Sequence, residues 1–422
     1  VTSTAPPART RLERDRLTIS LYSYFAAWGW LLYSFSPSVP LLADELGVSK
    51  AQGGLHGTAF AAGAILVARL TPHLVGRYGR RATLVGSGLL IAAGTVVLVT
   101  GTSLTWTLTG VFILAAGGNV AVSAAQAGLS LRHGRASSAA VTEASGVGSS
   151  VGLLGPLAVG ASVALGWGWR PAVAVTAALA IGSVLLAARL PADRRDRPVP
   201  APEPETVDPA DVDPADAAAL DAADRESAVA TRWFLVAIVA AIALENATTF
   251  WSTDLIRQQT GAGAGIATAA TAGLVAGMSA IRFVVGPLSL RIEPARLLAV
   301  SFLVAIVGWV VLWTATATPV ALTGLVIAGI GYGAQYPLSA SILLSAARRS
   351  TDRAQANATL AGGAAIGVAP YVLGALADSF GAHTAFLVIP VVALVGATAA
   401  VVGPLAARRA SAARTAEILA ES

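Results

Sequence analysis

The chain has 422 residues, 55% of them apolar and only 12% charged, about half the charged share of an ordinary soluble domain. Its net charge of +5 comes almost wholly from arginine, with Lys50 the only lysine, and the arginines fall in short segments between apolar runs, which argues against a nucleic-acid surface. The absence of cysteine excludes disulfides, cysteine zinc sites and thiolate catalysis, and the four histidines, His56, His73, His133 and His383, are too scattered for a metal motif.

A hydrocarbon core about 30 Å thick needs roughly 17 to 25 apolar residues per helix. A polar tail occupies residues 1–16, and the next run, at 17–42, is too long and too aromatic for a cleaved leader. With runs near 53–75, 82–99, 104–129, 139–165 and 171–190 it predicts a first six-helix bundle over 17–190. Residues 191–231 are rich in Pro, Asp, Glu and Ala, hold the near-repeat Asp208-Pro-Ala-Asp-Val-Asp-Pro-Ala-Asp216, and read as a disordered cytoplasmic linker. Runs near 233–251, 266–288, 297–314, 319–344, 356–377 and 384–406 predict a second bundle over 232–406, ahead of a tail at 407–422. The expected fold is therefore an all-α integral membrane protein of twelve transmembrane helices in two six-helix bundles.

Arginine sets the expected orientation, because cytoplasmic loops retain Lys and Arg. Clusters at Arg9 to Arg16, Arg77 to Arg81, Arg132 and Arg135, Arg194 to Arg197, Arg291 and Arg296, Arg348 to Arg353 and Arg408 to Arg414 occupy alternate segments. Both termini are thus expected in the cytoplasm of a bacterial cell, with the chain in its inner membrane. Short matches also recur at offsets of 213 to 214 residues. Ala115-Ala-Gly-Gly-Asn119 faces Ala328-Gly-Ile-Gly-Tyr332 and Arg69 faces Arg282 at the shorter offset; Gly47 faces Gly261, and Gly155-Pro156 with Gly160 faces Ala369-Pro370 with Gly374, at the longer. Parallel repeats of this kind build many secondary transporters.

After the second run, Gly76-Arg-Tyr-Gly-Arg-Arg81 resembles the loop signature of the major facilitator superfamily, matching it at Arg77, Gly79, Arg80 and Arg81, with Gly76 where that family usually has Asp. Gly152-Leu-Leu-Gly155-Pro156 with Gly160 is similar, at altered spacing, to the Gly-Pro motif of its antiporters. Glu245 followed by Trp251 resembles a pattern of its fucose-permease-like and sugar-porter branches. The resemblance implies the twelve-helix fold, transport by alternating access, and a gating role for Arg77, Arg80 and Arg81.

An ionisable side chain inside a span is costly, so each is a functional candidate. Glu245 lies about 18 Å from the expected cytoplasmic end of the seventh run, near the midplane. Thr248, Thr249 and Ser252 continue one polar stripe from it. Such a carboxylate suits proton coupling; the alternative is a structural Glu bonded to neighbouring helices. Glu143, close to the expected cytoplasmic edge, suits a gate, with Arg69 or the loop arginines as partners, or simple snorkelling to the interface. Arg69 and Arg282 are expected to gate or anchor. Asn119, Tyr332, Gln335 and Tyr336, with Tyr24, Trp28, Tyr33 and Trp251, are candidates to line a cavity for a hydroxylated or aromatic solute, although aromatics in membrane helices more often pack.

Gly148-Ser-Ser-Val-Gly152 satisfies a hydrolase-elbow pattern, yet it falls inside a predicted helix where Gly148 and Gly152 form a small-residue packing face. Lys50 lacks a phosphate-loop glycine pattern, so ATP hydrolysis is not expected. The reading is a non-enzymatic, monomeric, proton-coupled permease for a sugar or other small organic solute, with no cofactor, no nucleic acid, and the lipid bilayer as its surroundings. A drug/proton antiporter is the competing transport reading. Outside transport stand a membrane-embedded hydrolase using Ser150 and a sensor signalling through the linker.

Overall fold

The computed structural model describes residues 14–68, 70–133, 136–190, 214–289, 291–346 and 351–421. Among these there is no strand, and every predicted apolar run is helical. Among the described residues nine helices are long and apolar enough to cross a membrane, or ten when one broken pair is counted as a single span.

The first run is broken where proline denies the helix its amide donors. Helix α1 (Arg16–Phe35) gives way to a 3-10 turn at Ser36–Ser38 containing Pro37, and α2 (Val39–Leu46) restarts with Pro40 in its first turn. The chain continues through α3 (Lys50–Ala68), α4 (Thr71–Tyr78), α5 (Arg80–Thr100), α6 (Leu104–His133), α7 (Ser137–Ala164) and α8 (Arg170–Ala188). The later part comprises α9 (Pro214–Thr260), α10 (Ala264–Ala270), α11 (Ala272–Ser289), α12 (Pro294–Trp313), α13 (Thr318–Ala346), α14 (Thr351–Phe380), α15 (Ala382–Ala385) and α16 (Val388–Glu421).

Part of the segment expected to be a disordered linker is helical, as is the expected C-terminal tail. Helix α9 begins at Pro214, so only residues 191–213 of the linker lie outside the described residues, and α16 runs through the expected tail to Glu421. The physical reason was present in the sequence: Asp213-Pro214 has the residue types of a helix cap and first position, and alanine dominates the residues from 215 to 223. At 47 residues α9 is about 70 Å long, more than twice a hydrocarbon core, with its crossing part at Val229–Thr260.

The chain divides into two compact units: Val1–Ser34, Gly63–Gly155 and Arg170–Pro198 form one, and Phe35–Ala62, Pro156–Trp169 and Val199–Ser422 the other. The division is not simply at the linker, because α2, the first part of α3 and the last part of α7 pack with the second unit. In the first unit the core joins Leu21, Tyr24 and Phe25 of α1 to Leu84 and Ile91 of α5 and to Ala121, Ala125 and Leu129 of α6. In the second, Phe234 and Ile238 of α9 pack on Leu343 of α13 and Ala358 of α14.

Lipid offers helices no hydrophobic incentive to associate, so small residues that let backbones touch carry much of the packing. Each unit contains the same set of such contacts at one offset. In the first, a methyl group on Gly110 would lie 2.5 Å from the Leu98 nitrogen, and one on Gly117 would lie 2.8 Å from the Ser87 oxygen. In the second, one on Gly324 would lie 2.5 Å from the Leu312 nitrogen, and one on Gly331 would lie 2.7 Å from the Ser301 oxygen. Gly94 against Leu114 likewise has its mate in Gly308 against Ala328, and Gly63 against Phe112 in Gly277 against Val326. All these pairs are 214 residues apart. This corrects the split register: at the offset of the contacts, Asn119 corresponds to Gly333 and not to Tyr332. Shared glycines had pulled the sequence match one residue out of step.

Candidate functional site

Helix α9 supplies the polar stripe. Thr248 is buried, and its Oγ1 shares a hydrogen bond of 3.0 Å with the Tyr332 hydroxyl of α13, itself buried. One turn before it stands Glu245, half-buried, within electrostatic reach of the Tyr332 hydroxyl and of Arg282 on α11. Arg282 is exposed. Three helices of the second unit thus bring together a carboxylate, a guanidinium and a phenol–hydroxyl pair. Thr249 donates its hydroxyl to the Glu245 carbonyl at 2.6 Å, which satisfies that side chain within its own helix. Ser252 is buried, with an Oγ that has no hydrogen-bond partner.

Several candidates are committed to packing. Trp251 is fully buried, and its indole donates to the Pro370 carbonyl of α14 at 2.7 Å. It therefore serves as an anchor between α9 and α14 and does not line a cavity in this conformation. Gln335 is fully buried against α12, its Nε2 3.4 Å from the Ser301 carbonyl and its Oε1 without a partner. Tyr336, one residue on, is exposed.

In the first unit, Asn119 is half-buried and donates to the Ala115 carbonyl of its own helix at 2.9 Å. Trp28 covers Gly118, where any side chain would collide with the indole. Tyr24 is fully buried and donates to the Leu84 carbonyl at 2.9 Å, and Tyr33 packs on Gly152. Gly148 lies against the Phe25 carbonyl, so the hydrolase-like pentapeptide is a continuous part of α7 that packs on α1, without the strand-to-helix turn an elbow requires.

Of the gating candidates, Glu143 meets the start of α1 in this unit. Glu143 of α7 accepts two hydrogen bonds from Arg14, at 2.6 and 3.0 Å. Its partner is thus an arginine just ahead of the first helix, while Arg69 lies outside the described residues. Next to it, Asp15 accepts from the Thr18 amide and hydroxyl, both at 2.8 Å, and pairs with Arg132 at 2.8 Å, while Thr18 also bonds His133 at 2.9 Å. Asp15 thereby caps α1 and ties it to the end of α6. Burial would raise its carboxyl, but the bonds from Thr18 and Arg132 outweigh burial and hold it below the ordinary value. Arg80 donates to the Ala124 carbonyl at 2.7 Å and Arg81 to the Ala188 carbonyl, joining α5 to α6 and α8. Arg77 is exposed, with its guanidinium carbon 5.6 Å from the centre of the Tyr78 ring.

An apolar cavity of about 440 Å³ lies among α9, α14 and α16, lined in part by Ala243, Ala247, Ala365 and Val392. Glu245 stands on the opposite face of α9 from Ala243 and Ala247, at about 100° per residue, so this cavity is separate from the polar cluster. Sequence reasoning missed the far end of the second unit, where Lys50, Asp254, Arg257, Asp44 and Asp378 interact.

A profile of the Major Facilitator Superfamily matches residues 19–351 and 233–418. No curated protein matches the sequence significantly. Among solved structures, the nucleoside transporter NupG is 14% identical with a TM-score of 0.70, covering 92% of this chain and 98% of its own. A bacterial homologue of the human lysosomal transporter Spinster, in an inward-facing and unoccupied conformation, is 16% identical with a TM-score of 0.71, covering 94% and 99%. A D-xylose–proton symporter is 15% identical with a TM-score of 0.71, covering 92% and 96%. At these identities the likeness is one of fold, and together with the profile match it establishes that this multi-pass membrane chain belongs to the Major Facilitator Superfamily.

Proposed function

We propose that the chain is a secondary active permease that moves a small organic solute by alternating access, with the proton gradient as its energy source and Glu245 as the coupling carboxylate. The supporting observation is the meeting of Glu245, Arg282 and the Thr248–Tyr332 pair on three helices of the second unit. A carboxylate that faces a guanidinium when charged and releases it when neutral links protonation to a change in helix contacts. In this reading the termini are cytoplasmic, the membrane is a bacterial inner membrane, the protein works as a monomer, and Arg14–Glu143 with Arg80 and Arg81 belongs to the cytoplasmic gate. The neighbours that transport a nucleoside and a pentose favour a hydroxylated cargo, such as a sugar.

Solute screening in proteoliposomes under an imposed pH gradient, with Glu245→Gln beside the wild type, tests the reading. Gradient-driven accumulation is expected in the wild type and its loss in the variant; equal accumulation in both removes Glu245 from coupling. Drug/proton antiport is the second reading, supported by Pro156 inside α7 beside Gly155, which packs on the backbone of Tyr33 and Ser34. Expulsion of solute against the gradient, in place of uptake, would select it.

A further inference from the structure

Helices α14 and α16 both pack along α9, yet among the described residues they scarcely meet each other. The gap between them is the apolar cavity of about 440 Å³, floored by α9 and lying wholly within the second unit. Every side chain that lines it is Ala, Val, Leu or Ile, so a polar solute would find no hydrogen-bond partner there. Val368 and Val372 of its α14 wall are 56% and 40% exposed, so the cavity is a groove open at the surface of the bundle.

The groove has a polar end. At about 100° per residue, the face of α9 that carries Val239 and Ala243 continues toward the start of the crossing part through Val236 and Arg232, both exposed. On α14 the groove face continues from Ala361 to Asn357, one turn earlier and also exposed. Packing of Phe234 on Ala358 sets Asn357 level with the Arg232 end of α9. Val239 lies about 10 Å beyond Arg232 along the helix and Ala247 about 22 Å beyond it. Each leaflet of the hydrocarbon core is about 15 Å deep, so a phosphate held at Arg232 lays an acyl chain alongside this stretch.

We propose that the groove binds one anionic phospholipid, with an acyl chain between α14 and α16, the phosphate on Arg232 and the Asn357 amide donating to the headgroup. A chain seated there touches protein on three sides, whereas on a flat helix face it touches protein on one. The arginine adds a preference for anionic lipid of about fivefold. A helix from a second copy does not fit, because a cylinder about 10 Å wide along the 12 Å between Val239 and Ala247 would need about 900 Å³, twice the space. The site is independent of the transport reading, since it lies on the face of α9 away from Glu245.

Photolabelling in phosphatidylcholine vesicles tests the site. The probe is phosphatidylglycerol with a diazirine at stepped positions along one acyl chain, and its phosphatidylcholine analogue is the comparison. Labelled residues are read by peptide mass spectrometry. The exposed apolar stripe of α12 at Val300, Leu303 and Val307 serves as the internal reference. In the wild type, phosphatidylglycerol should label the groove residues above that stripe, and about fivefold more than the phosphatidylcholine analogue does. Arg232→Gln should bring phosphatidylglycerol down to the phosphatidylcholine level in the groove and leave the α12 stripe unchanged.

Two further variants occlude the groove by different routes: Ala365→Phe fills it from a buried position, and Ala364→Trp covers it from an exposed one. Both should lose groove labelling by either lipid and keep that of α12. Groove labelling no stronger than that of the stripe, phosphatidylglycerol preference that survives Arg232→Gln, or full groove labelling in both occluded variants would overturn the assignment. A groove left unlabelled while chains cross-link to one another across it would give the site to a second copy and overturn it too.

Discussion

Replacing Gly94 with alanine tests whether the repeated backbone contacts hold each unit together. The added methyl would collide with the Leu114 backbone nitrogen and lie 2.9 Å from the Gly110 oxygen, neither of which is a side chain able to swing away. Overpacking of this kind costs about 1–3 kcal/mol, offset by about 1 kcal/mol from the better helix propensity of alanine. The same substitution at Gly86, on the same helix with nothing within 4 Å of its would-be β-carbon, keeps the gain without the collision. The two variants should therefore differ by about 2 kcal/mol at the midpoint. At about 2–4 °C per kcal/mol for chains of 150–250 residues, and less in a longer one, this is a melting difference of several degrees in detergent. Gly308→Ala, the repeat mate, should fall by as much as Gly94→Ala. If Gly94→Ala melts at or above Gly86→Ala, the glycine contacts do not carry the packing and the structural register loses its energetic meaning.

Single contacts give further expectations. A double-mutant cycle with Thr248→Val and Tyr332→Phe should give a coupling of about 0.5–1.5 kcal/mol in unfolding experiments, and no coupling would mean the pair is not bonded. Trp251→Phe removes the indole's bond to the buried Pro370 carbonyl, which keeps its intrahelical partner, and should cost about 0.5–1.5 kcal/mol, read as a lower melting temperature. Asp15 has a carboxyl held below its ordinary value of 3.8, so its contribution is complete above that value and fades as pH falls through the lower folded value. Hydrogen-exchange protection at the start of α1, taken relative to the intrinsic exchange rate at each pH, should accordingly fall in acid in the wild type, and Asp15→Ala should already show the lowered protection near neutrality. Ser150→Ala should leave solute accumulation intact, whereas loss of all activity in that variant would revive a hydrolase.

The spans were legible because apolar length is a property of local sequence, and so was the family, because its loop residues Arg77, Gly79, Arg80 and Arg81 are contiguous. Glu245 stood out because a carboxylate amid apolar residues needs no partner to be noticed. Its surroundings did not, since Arg282 and Tyr332 reach it from helices whose rotation depends on packing. The part of the linker after residue 213 was misread by composition: alanine and aspartate make a poor core but a good helix start, and a helix that leaves the bilayer needs no core of its own. Trp251 and Gln335 looked like cavity residues because polarity and aromaticity do not say which way a side chain faces. The length and number of apolar runs, and thereby the membrane-spanning class of fold, follow from the chain alone, because lipid allows a hydrophobic helix little choice. Which helix touches which was decided only in three dimensions. There a 214-residue register of glycines sets backbone distances, and Asp378, far from Lys50 in sequence, becomes the cap of its helix.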